Sequence, residues 1–390
     1  MNTGQQGGVA LRATRIAKAL SVVGIDTRML LAKGSDIPEA LTGTITTPDD
    51  IFSNRNLFLR IICFRFQYQV TLSSKTKYSL FRLFHRYNTP FGAILMLHRI
   101  DKISSNGIWW NQHLKISPET LEEMITYARK RNCKFVSLNE MADALASKKR
   151  HRRMIAITLD DGYRDNYTNG LPLFTKMAVP FTIYVCTKMV KGEMLYWWEI
   201  LEQLVLYHDS VTLNDGRTFS CSTKEEKELA FLDIREIILQ LPQGNLEESL
   251  RPLFINYDID YHFGNQNLGL SWEQIRELRQ DPLATIGNHT YSHKAFTGCT
   301  DEEIGADIDR ADTEMLNNTG IKMQHFAFPF GEAVAVSEHD IELVKHLGFR
   351  TSATTKEDFV RYNTSPLDLP RLFVTEKNWK QVIDRIAECC

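Results

Sequence analysis

The chain has few cysteines, and none of them forms a pattern that marks a metal site or a disulfide framework. The seven are odd in number, scattered and without Cys-x-x-Cys spacing: Cys63, Cys133, Cys186, Cys221, Cys299, Cys389 and Cys390. Cysteine zinc sites and disulfide-rich secreted domains place their cysteines at short, regular intervals. The sequence therefore suggests neither class and fits a reducing compartment best.

A surplus of charge of either sign is also missing. The chain has 46 Lys and Arg residues against 48 Asp and Glu residues, and its calculated isoelectric point is near 6.6. A protein without a strongly basic surface has no long-range field that recruits nucleic acid or an anionic membrane. We therefore expect no nucleic-acid partner, and a substrate that is neutral or is matched by local charge.

No apolar run is long enough to span a membrane. The most apolar stretch, residues 57–70, is interrupted by Arg60 and Arg65, and it is shorter than the roughly 20 residues that a spanning helix needs. The opening MNTGQQGG lacks the basic-then-apolar pattern of a signal peptide. We expect a cytoplasmic protein, in which residues 57–70 form either an ordinary buried helix or a peripheral contact with a membrane or a partner.

Short apolar runs alternate with helical patterns from Pro90 onward. The runs are rich in β-branched and aromatic side chains and lie at 93–97, 134–138, 155–159, 181–186, 284–287, 325–328, 349–353 and 371–374. Between two of them, Ser117 is suited to cap a helix that continues to Lys130, with Pro118 at its first position. The alternation predicts an α/β fold, and this number of repeats favours a distorted (β/α) barrel of seven or eight strands.

Two regions depart from the alternation. Residues 193–270 are helical and charged, and Asn214-Asp215-Gly216 is typical of a hairpin turn. We interpret this region as a mainly helical insertion between two barrel strands, which either shapes substrate access or only decorates the domain. Residues 1–85 precede the repeats and are predicted to form a small α/β extension, so the main domain covers residues 90–390.

Two adjacent carboxylates come directly after one of the predicted strands. Asp160 and Asp161 stand at the end of the run 155–159, and Gly162 then allows a tight turn. In a barrel of parallel strands, catalytic residues lie at the carboxyl ends of the strands. The pair belongs either to a catalytic site or to a helix cap with a solvated neighbour.

A pair of histidines lies after another predicted strand, in the motif GNHTYSH. His289 and His293 are four residues apart, so on a helix they would share one face and reach a single metal ion. The spacing alone is weak evidence, but both motifs are expected at the same end of the barrel. Two histidines and one carboxylate form a divalent-metal site, and the second carboxylate is then free to act as a base.

The segments LDDGYRDNY, HTYSH and FAFPFG together resemble the polysaccharide deacetylase family (NodB homology, carbohydrate esterase 4), in the order and with the separations of that family. The resemblance covers roughly residues 90–376. The flanking ILMLHRI, FVSLNEM, VPFTIYV and LPRLFV are similar to one branch of the family. The resemblance implies a NodB-type barrel and a hydrolase that uses a divalent metal, Zn²⁺ first and otherwise Co²⁺, Fe²⁺ or Ni²⁺.

The same resemblance implies roles for individual residues. It makes Asp160 the general base, and it makes Asp161, His289 and His293 the metal ligands. Phe330, in the FPFG segment, stands where the family places an aromatic residue whose backbone N–H helps to hold the tetrahedral oxyanion.

The sequence departs from the family pattern at two places. Ala327 stands where an arginine is more common, so the tether on the base is missing or is supplied elsewhere. The usual Leu-x-x-His near the C-terminus is absent, because LPRLFV contains only Arg371. Residues 95–98 satisfy that pattern on the first strand, which neighbours the last strand in a closed barrel. His98 is therefore either the general acid or a core histidine, and in the second case a metal-bound water is the acid.

Residues 1–80 weakly resemble an N-terminal fragment of a GT-B glycosyltransferase, from GGVALRATR to DTRMLL. The strand that should precede the glycine loop is missing, and no nucleotide-sugar half comes after it. We interpret the segment as a remnant or a docking piece without transferase activity.

The leading hypothesis is a metal-dependent hydrolase that removes acetyl groups from N-acetylated sugars in the biosynthesis of a surface polysaccharide or a lipopolysaccharide. Its expected partner is thus a carbohydrate substrate. A catalytically silent carbohydrate-binding barrel and a deacylase of a non-carbohydrate amide are the alternatives, since a fold does not by itself determine a function.

Overall fold

The structure, a computed structural model, describes residues 89–147, 151–242, 246–297, 299–331 and 335–390. Residues Pro90–Val360 and Thr364–Cys390 form one compact unit. The glycosyltransferase-like segment and the membrane contact that we expect within residues 1–85 lie outside the described residues. No helix in the described ranges is both long and apolar enough to cross a membrane.

A curled sheet forms the centre of this unit, with the strand order β11-β10-β9-β6-β5-β1-β12, β4 beside β5 and β13 beside β1. The strands are β1 (Pro90–Leu97), β2 (Arg99–Ile100), β3 (Lys115–Ile116), β4 (Lys134–Phe135), β5 (Met154–Leu159), β6 (Phe181–Val185), β7 (Ser210–Thr212), β8 (Thr218–Ser220), β9 (Ala284–Asn288), β10 (His325–Ala327), β11 (Thr351–Ala353), β12 (Val360–Arg361) and β13 (Leu372–Phe373). The neighbours from β11 to β1 pair in parallel. The predicted NodB-type barrel is confirmed as a curled half-barrel of seven successive strands, with β4 and β13 as two further strands beside them.

The strands explain why the sequence shows continuous apolar runs. Every residue of β5 and β6 is buried, because the strands of a parallel sheet are covered on both faces and cannot alternate between apolar and polar residues. Each of the eight apolar runs contains a strand of this sheet. In the register, Leu97 of β1 lies opposite Leu159 of β5, so both strands end at the same edge.

The segment after β11 joins the two sides of the curled sheet. Leu369 forms a parallel bridge with Ala353 of β11, and the N–H of Val374 donates to the carbonyl of Met96 at 3.0 Å. β13, between these two points, pairs with β1. The last strand therefore lies beside the first, as expected from a closed barrel.

Helices pack around the sheet and in the insertion. They are α1 (Trp109–Gln112), α2 (Pro118–Lys130), α3 (Leu138–Ala146), α4 (Leu171–Met177), α5 (Thr187–Val190), α6 (Trp197–Tyr207), α7 (Lys224–Leu239), α8 (Leu246–Leu253), α9 (Trp272–Leu278), α10 (Asp301–Thr319), α11 (Glu338–His346) and α12 (Trp379–Cys389), with a π-helical turn at Asn166–Gly170. The helix predicted between Ser117 and Lys130 is confirmed. Ser117 caps it by accepting a hydrogen bond from the N–H of Thr120 at 3.2 Å.

The predicted insertion lies between β6 and β9 and contains α6, α7, α8 and one hairpin. In the hairpin, β7 and β8 pair antiparallel, and Gly216 has a φ of 89°, which its lack of a side chain permits. The insertion has a core of its own, in which Val211, Phe231 and Ile234 are buried. Trp197, Trp198, Phe231 and Arg235 of the insertion form one wall of a cavity at the edge of the sheet.

Candidate active site

The candidate residues lie at one edge of the sheet, where parallel strands end. Asp160 and Asp161 come directly after β5, His289 after β9, and His98 after β1. Phe330 lies three residues beyond the end of β10. Because the strands run in parallel, the turns after them are neighbours in space although the residues are far apart in the chain.

Asp161, His289 and His293 form a compact cluster. The Oδ1 atom of Asp161 lies 3.4 Å from Nε2 of His289 and 3.1 Å from Nε2 of His293. One ligand atom from each of the three side chains lies within 4.8 Å of the others. Asp161 and His289 are buried, so these donor atoms face one another instead of bulk water.

The donor set of this cluster suits a divalent metal ion. Asp161 Oδ1 is buried and has no hydrogen-bond partner among the described residues, an arrangement that is costly unless a cation or a proton satisfies the oxygen. Burial raises the pKa of Asp161, but the two histidines outweigh this effect and hold the pKa well below its ordinary value. An ionised carboxylate beside two imidazole nitrogens is a common zinc-type ligand set with open positions.

The orientation of His289 is determined by a hydrogen bond at its other ring nitrogen. Nδ1 of His289 lies 2.8 Å from the carbonyl oxygen of Ala327, which accepts the hydrogen bond when Nδ1 carries the proton. Metal-binding histidines commonly make such a contact, which leaves Nε2 free as the ligand atom. Ala327, which replaces an arginine of the family pattern, thus supports the cluster through its backbone.

The expectation that His289 and His293 share a helical face is wrong. Residues 289–293 form an irregular turn, in which Thr290 and His293 have φ values of 65° and 55°. Side-chain hydrogen bonds replace those of a helix: Asn288 Oδ1 accepts from the N–H of Thr290 at 2.7 Å, and Thr290 Oγ1 accepts from the N–H of His293 at 2.9 Å. Short polar side chains compete with helix formation in this way.

Asp160 makes a buried, bidentate ion pair with Arg371. Nη1 and Nη2 of Arg371 donate to the two carboxylate oxygens of Asp160 at 2.6 and 2.8 Å. Arg371 is fully buried, and its Nε donates to the carbonyl of Thr354 at 2.9 Å. Burial raises the pKa of Asp160, but the guanidinium outweighs this effect, and the net pKa lies below the ordinary value.

The sequence analysis missed this role of Arg371, although it noted the residue in LPRLFV. The tether that is absent at Ala327 comes instead from the residue before β13. Nothing local signals the pair, because 211 positions separate Asp160 from Arg371. The pair could have been found from the prediction that the last strand neighbours the first. That arrangement brings Arg371, directly before the last strand, close to the end of β5.

His98 and Phe330 lie on the walls of the same cavity as the cluster. His98 is half-buried, its Nδ1 has no hydrogen-bond partner among the described residues, and its ring meets Phe373 edge-on at 5.8 Å. Burial lowers the pKa of His98, and the nearby carboxylates of Asp161 and Asp160 oppose this effect only in part. The structure thus places His98 on the same cavity wall as Asp160 and Asp161.

Phe330 adopts a left-handed backbone conformation, with a φ of 60°. Its ring packs on His293, with 4.9 Å between the ring centroids. In the described ranges no group accepts a hydrogen bond from its backbone N–H. Asp161, Thr290, His293 and Phe330 all have positive φ values, and unfavourable backbone conformations of this kind concentrate at functional sites.

The cavity that contains these residues has a volume of about 390 Å³, which is enough for a sugar-sized ligand. Strand ends form one wall, and the other walls come from residues 110–114 and from the insertion. The aromatic residues of the lining are Trp110, Tyr163, Trp197, Trp198, Phe231, Phe328, Phe330 and Phe373. A smaller cavity of about 110 Å³ adjoins it and shares Trp197, Trp198, His293 and Phe330.

Comparisons with known proteins identify one family that matches part of the chain. Residues 147–212 and 247–352 match the family described as polysaccharide deacetylase, and the unmatched residues between these two stretches lie within the insertion. No curated protein sequence matches the chain.

Solved structures of low sequence identity share the fold. The chain is similar to IcaB from Ammonifex degensii, with a TM-score of 0.50 and 19% identity over 76% of this chain and 97% of that one. It is also similar to the deacetylase PplD from Streptococcus pyogenes, solved in complex with acetate, with a TM-score of 0.52 and 15% identity over 76% and 99% of the two chains. The resemblance to the polysaccharide deacetylase family is confirmed over residues 147–212 and 247–352, which include Asp160, Asp161, His289 and His293.

Proposed function

We propose that the protein is a metal-dependent deacetylase that releases acetate from N-acetylated sugars of a surface polysaccharide or lipopolysaccharide precursor. The observation that carries this proposal is the convergence of Asp161, His289 and His293 beside an Arg371-bound Asp160 in one cavity. Hydrolysis of an acetamide needs a group that polarises the carbonyl and a base that activates water. The cluster offers residues for both tasks.

Asp161, His289 and His293 would hold the divalent metal. We expect Zn²⁺ at this site, and the same donor set accepts Co²⁺, Fe²⁺ or Ni²⁺. A bound ion of this kind polarises the acetyl carbonyl and lowers the pKa of a water molecule. The contact between His289 and the carbonyl of Ala327 keeps the ligand nitrogen aimed at Asp161.

Asp160 takes the proton from the attacking water. Arg371 keeps this carboxylate ionised and correctly oriented, and each carboxylate oxygen retains a lone pair after accepting one hydrogen bond from the guanidinium. The N–H of Phe330 then donates to the oxyanion that develops on the acetyl carbonyl.

His98 protonates the sugar nitrogen as its bond to the acetyl carbon breaks, so that acetate and a free amino sugar leave the site. A lowered pKa makes the protonated imidazole a stronger acid. If His98 is only a packing residue, water is the remaining proton source.

The alternatives use the same site. A silent carbohydrate-binding barrel would not need a buried pair between Asp160 and Arg371, which supports an active enzyme over that alternative. Removal of O-acetyl groups or deacylation of a non-carbohydrate amide would use the same residues, and only substrate profiles separate them. We also propose a cytoplasmic location, which the free cysteines of the described ranges support.

Metal analysis combined with acetate release from a panel of N- and O-acetylated saccharides tests the proposal. The purified protein should hold about one metal ion and release acetate. Asp161→Asn should lose both properties, whereas Asp160→Asn should retain the metal and lose about 10²- to 10⁴-fold in rate. His339→Gln, which changes an exposed histidine paired with Asp301, should retain both.

A wild-type protein with neither bound metal nor acetate release would overturn the proposal. Unchanged acetate release by metal-loaded Asp160→Asn would remove Asp160 as the base and leave the metal site standing.

A further inference from the structure

One cationic side chain on the wall of the main cavity has no hydrogen-bond or ion-pair partner in the part of the chain that the structure describes. Arg235 lines the cavity together with Asp160 and Asp161. Asp160 is paired with Arg371, and Asp161 belongs to the metal cluster. Among the described residues, no hydrogen bond or ion pair engages the guanidinium of Arg235.

The position of Arg235 is set by the core of the insertion. Arg235 lies on α7, one helical turn beyond Phe231, whose buried ring also lines the cavity. Phe231 packs in the insertion core, so the backbone of α7 holds Arg235 at a fixed place on the cavity wall. Its half-buried side chain is therefore presented to the cavity by a rigid element, as specific recognition requires.

Two carboxylates of the insertion, on α6 and α7, make contacts with other groups. Glu202 accepts hydrogen bonds from the N–H of Ile108 and the amide of Asn111, both at 2.8 Å. Glu228, on the same helix as Arg235, accepts from the N–H of Trp109 at 2.7 Å. Neither carboxylate forms an ion pair with Arg235 in the described part of the chain. Burial is the main cause of the lowered pKa of His113, and the charges of His98 and, to a smaller extent, Arg235 add to it.

The adjoining cavity carries charge of the same sign. Lys188 and Lys294 line it, and neither makes an ion pair in the described part of the chain. The carboxylate of that cavity, Glu247, is bound by Arg251. Both cavities thus have cationic side chains on their walls, although the whole chain has a formal net charge of only −2.

We propose that Arg235 binds a carboxylate or phosphate group carried by the acetylated saccharide, so that the preferred substrate is an anionic saccharide. A planar guanidinium recognises both groups through paired hydrogen bonds. The tryptophans of the cavity offer apolar faces for the sugar rings. The positive and negative charges of the whole chain nearly balance, so the charge that attracts an anionic substrate has to come from local residues. Arg235 of the insertion supplies it. This inference rests on the proposed deacetylase function.

The test compares kcat/KM for acetate release from three probes: a neutral N-acetylhexosamine oligomer, an oligomer in which N-acetylhexosamine alternates with uronate, and a phosphorylated N-acetylhexosamine oligomer. The wild type should prefer one or both anionic probes. Arg235→Gln should reduce the ratio of anionic to neutral kcat/KM by about 10- to 100-fold, the effect expected from losing a charged hydrogen bond. Arg217→Gln, which removes an exposed charge on the β7–β8 hairpin, should leave the ratio unchanged.

Each outcome decides the proposal. Equal losses on all three probes would show a structural role for Arg235, and an unchanged ratio would show no role in recognition; both overturn it. The uronate and phosphate probes identify which anionic group is bound. If the wild type releases no acetate from any probe, the proposed function fails, and calorimetry with the same oligomers then tests the role of Arg235. Binding that prefers the anionic probes and is lost in Arg235→Gln supports this role. Binding without that preference overturns it.

Discussion

The adjacent side chains of Asp160 and Asp161 have different environments. Asp161 has a φ of 75°, a conformation that few residues other than glycine adopt, and this rotation of the chain separates the directions of the two side chains. Asp160 contacts Arg371, and Asp161 contacts two histidines. Neighbours in sequence thus become one paired carboxylate and one candidate metal ligand.

The ion pair between Arg371 and Asp160 leads to a prediction about stability and activity. Arg371→Gln leaves Asp160 buried without its counter-charge, and we expect the free energy of unfolding to fall by about 3–5 kcal/mol. Acetate release should fall as well, because the base loses its orientation. Urea unfolding and an acetate assay measure the two effects.

The double variant Asp160→Asn, Arg371→Gln separates stability from activity. It should recover much of the stability, because no charge is left buried alone, but it should stay inactive. Arg385→Gln, which breaks an exposed pair with Glu357, serves as the control and should change stability little. Full stability of Arg371→Gln would show that the pair with Asp160 is not formed in solution.

The candidate site depends on the turns that follow the strands of the sheet. β5 is buried throughout and β9 in its last three residues, whereas the turns after both strands contain left-handed residues. Side-chain hydrogen bonds hold the turn after β9. β10 contributes differently: His325 lies within this strand and connects it to two other elements. Its Nδ1 lies 2.8 Å from Oγ1 of Thr351 on β11, and its Nε2 lies 3.2 Å from Oδ1 of Asn139 on α3.

His325 should make the stability of the protein dependent on pH. Burial, with a smaller contribution from Arg350, lowers the pKa of His325 from 6.5 to about 4. Between these two values the unfolded chain binds a proton that the folded protein does not bind, so the free energy of unfolding decreases as the pH falls from 6.5 towards 4. One pKa unit corresponds to about 1.4 kcal/mol, so this shift in the pKa of His325 lowers the free energy of unfolding by about 3 kcal/mol in total.

Denaturant unfolding at several pH values between 6.5 and 4 tests this contribution. His325→Asn should show a flatter pH dependence than the wild type, and His346→Asn, an exposed histidine on α11, should not. If the wild type and His325→Asn have parallel curves, His325 is not the group that is buried in its neutral form.

At the scale of the whole molecule, the site combines a barrel and an insertion that each have a hydrophobic core. The barrel edge supplies the proposed metal ligands and the proposed base, and the insertion supplies Trp197, Trp198 and Arg235 to the cavity wall. In this proposal, chemistry and substrate choice belong to different parts of the fold, as is common when loops vary on a constant barrel.

Removal of the metal should destabilise the entire unit. A ligand that binds only the folded protein stabilises it by about 2.7 kcal/mol at a concentration 100 times its dissociation constant. We therefore expect a chelator to lower Tm, added Zn²⁺ to restore it, and His289→Asn to lose most of this response. A thermal scan of the wild type that is the same with chelator and with Zn²⁺ would contradict a metal bound by the cluster.

The apolar runs, the helix after Ser117 and the hairpin at Asn214-Asp215-Gly216 could be predicted because each depends on local patterning. The grouping of Asp161 with His289 and His293 was also accessible, since parallel strands bring their ends together. The helical geometry of HTYSH was predicted wrongly, because the spacing of two histidines does not reveal that Asn288 and Thr290 divert the backbone hydrogen bonds.

The strands, their parallel arrangement and the residues at their ends could be predicted from the sequence alone, because apolar periodicity and turn chemistry act over a few residues. The tertiary structure was needed to show that Arg371 holds Asp160 and that Arg235, in the cavity, has no ion-pair partner among the described residues. Arg371 and Arg235 look alike in the sequence, but closure of the barrel buries the first against a carboxylate, and the insertion leaves the second facing open space. The partner of a charge is set by contacts between distant segments, so local patterning does not reveal it.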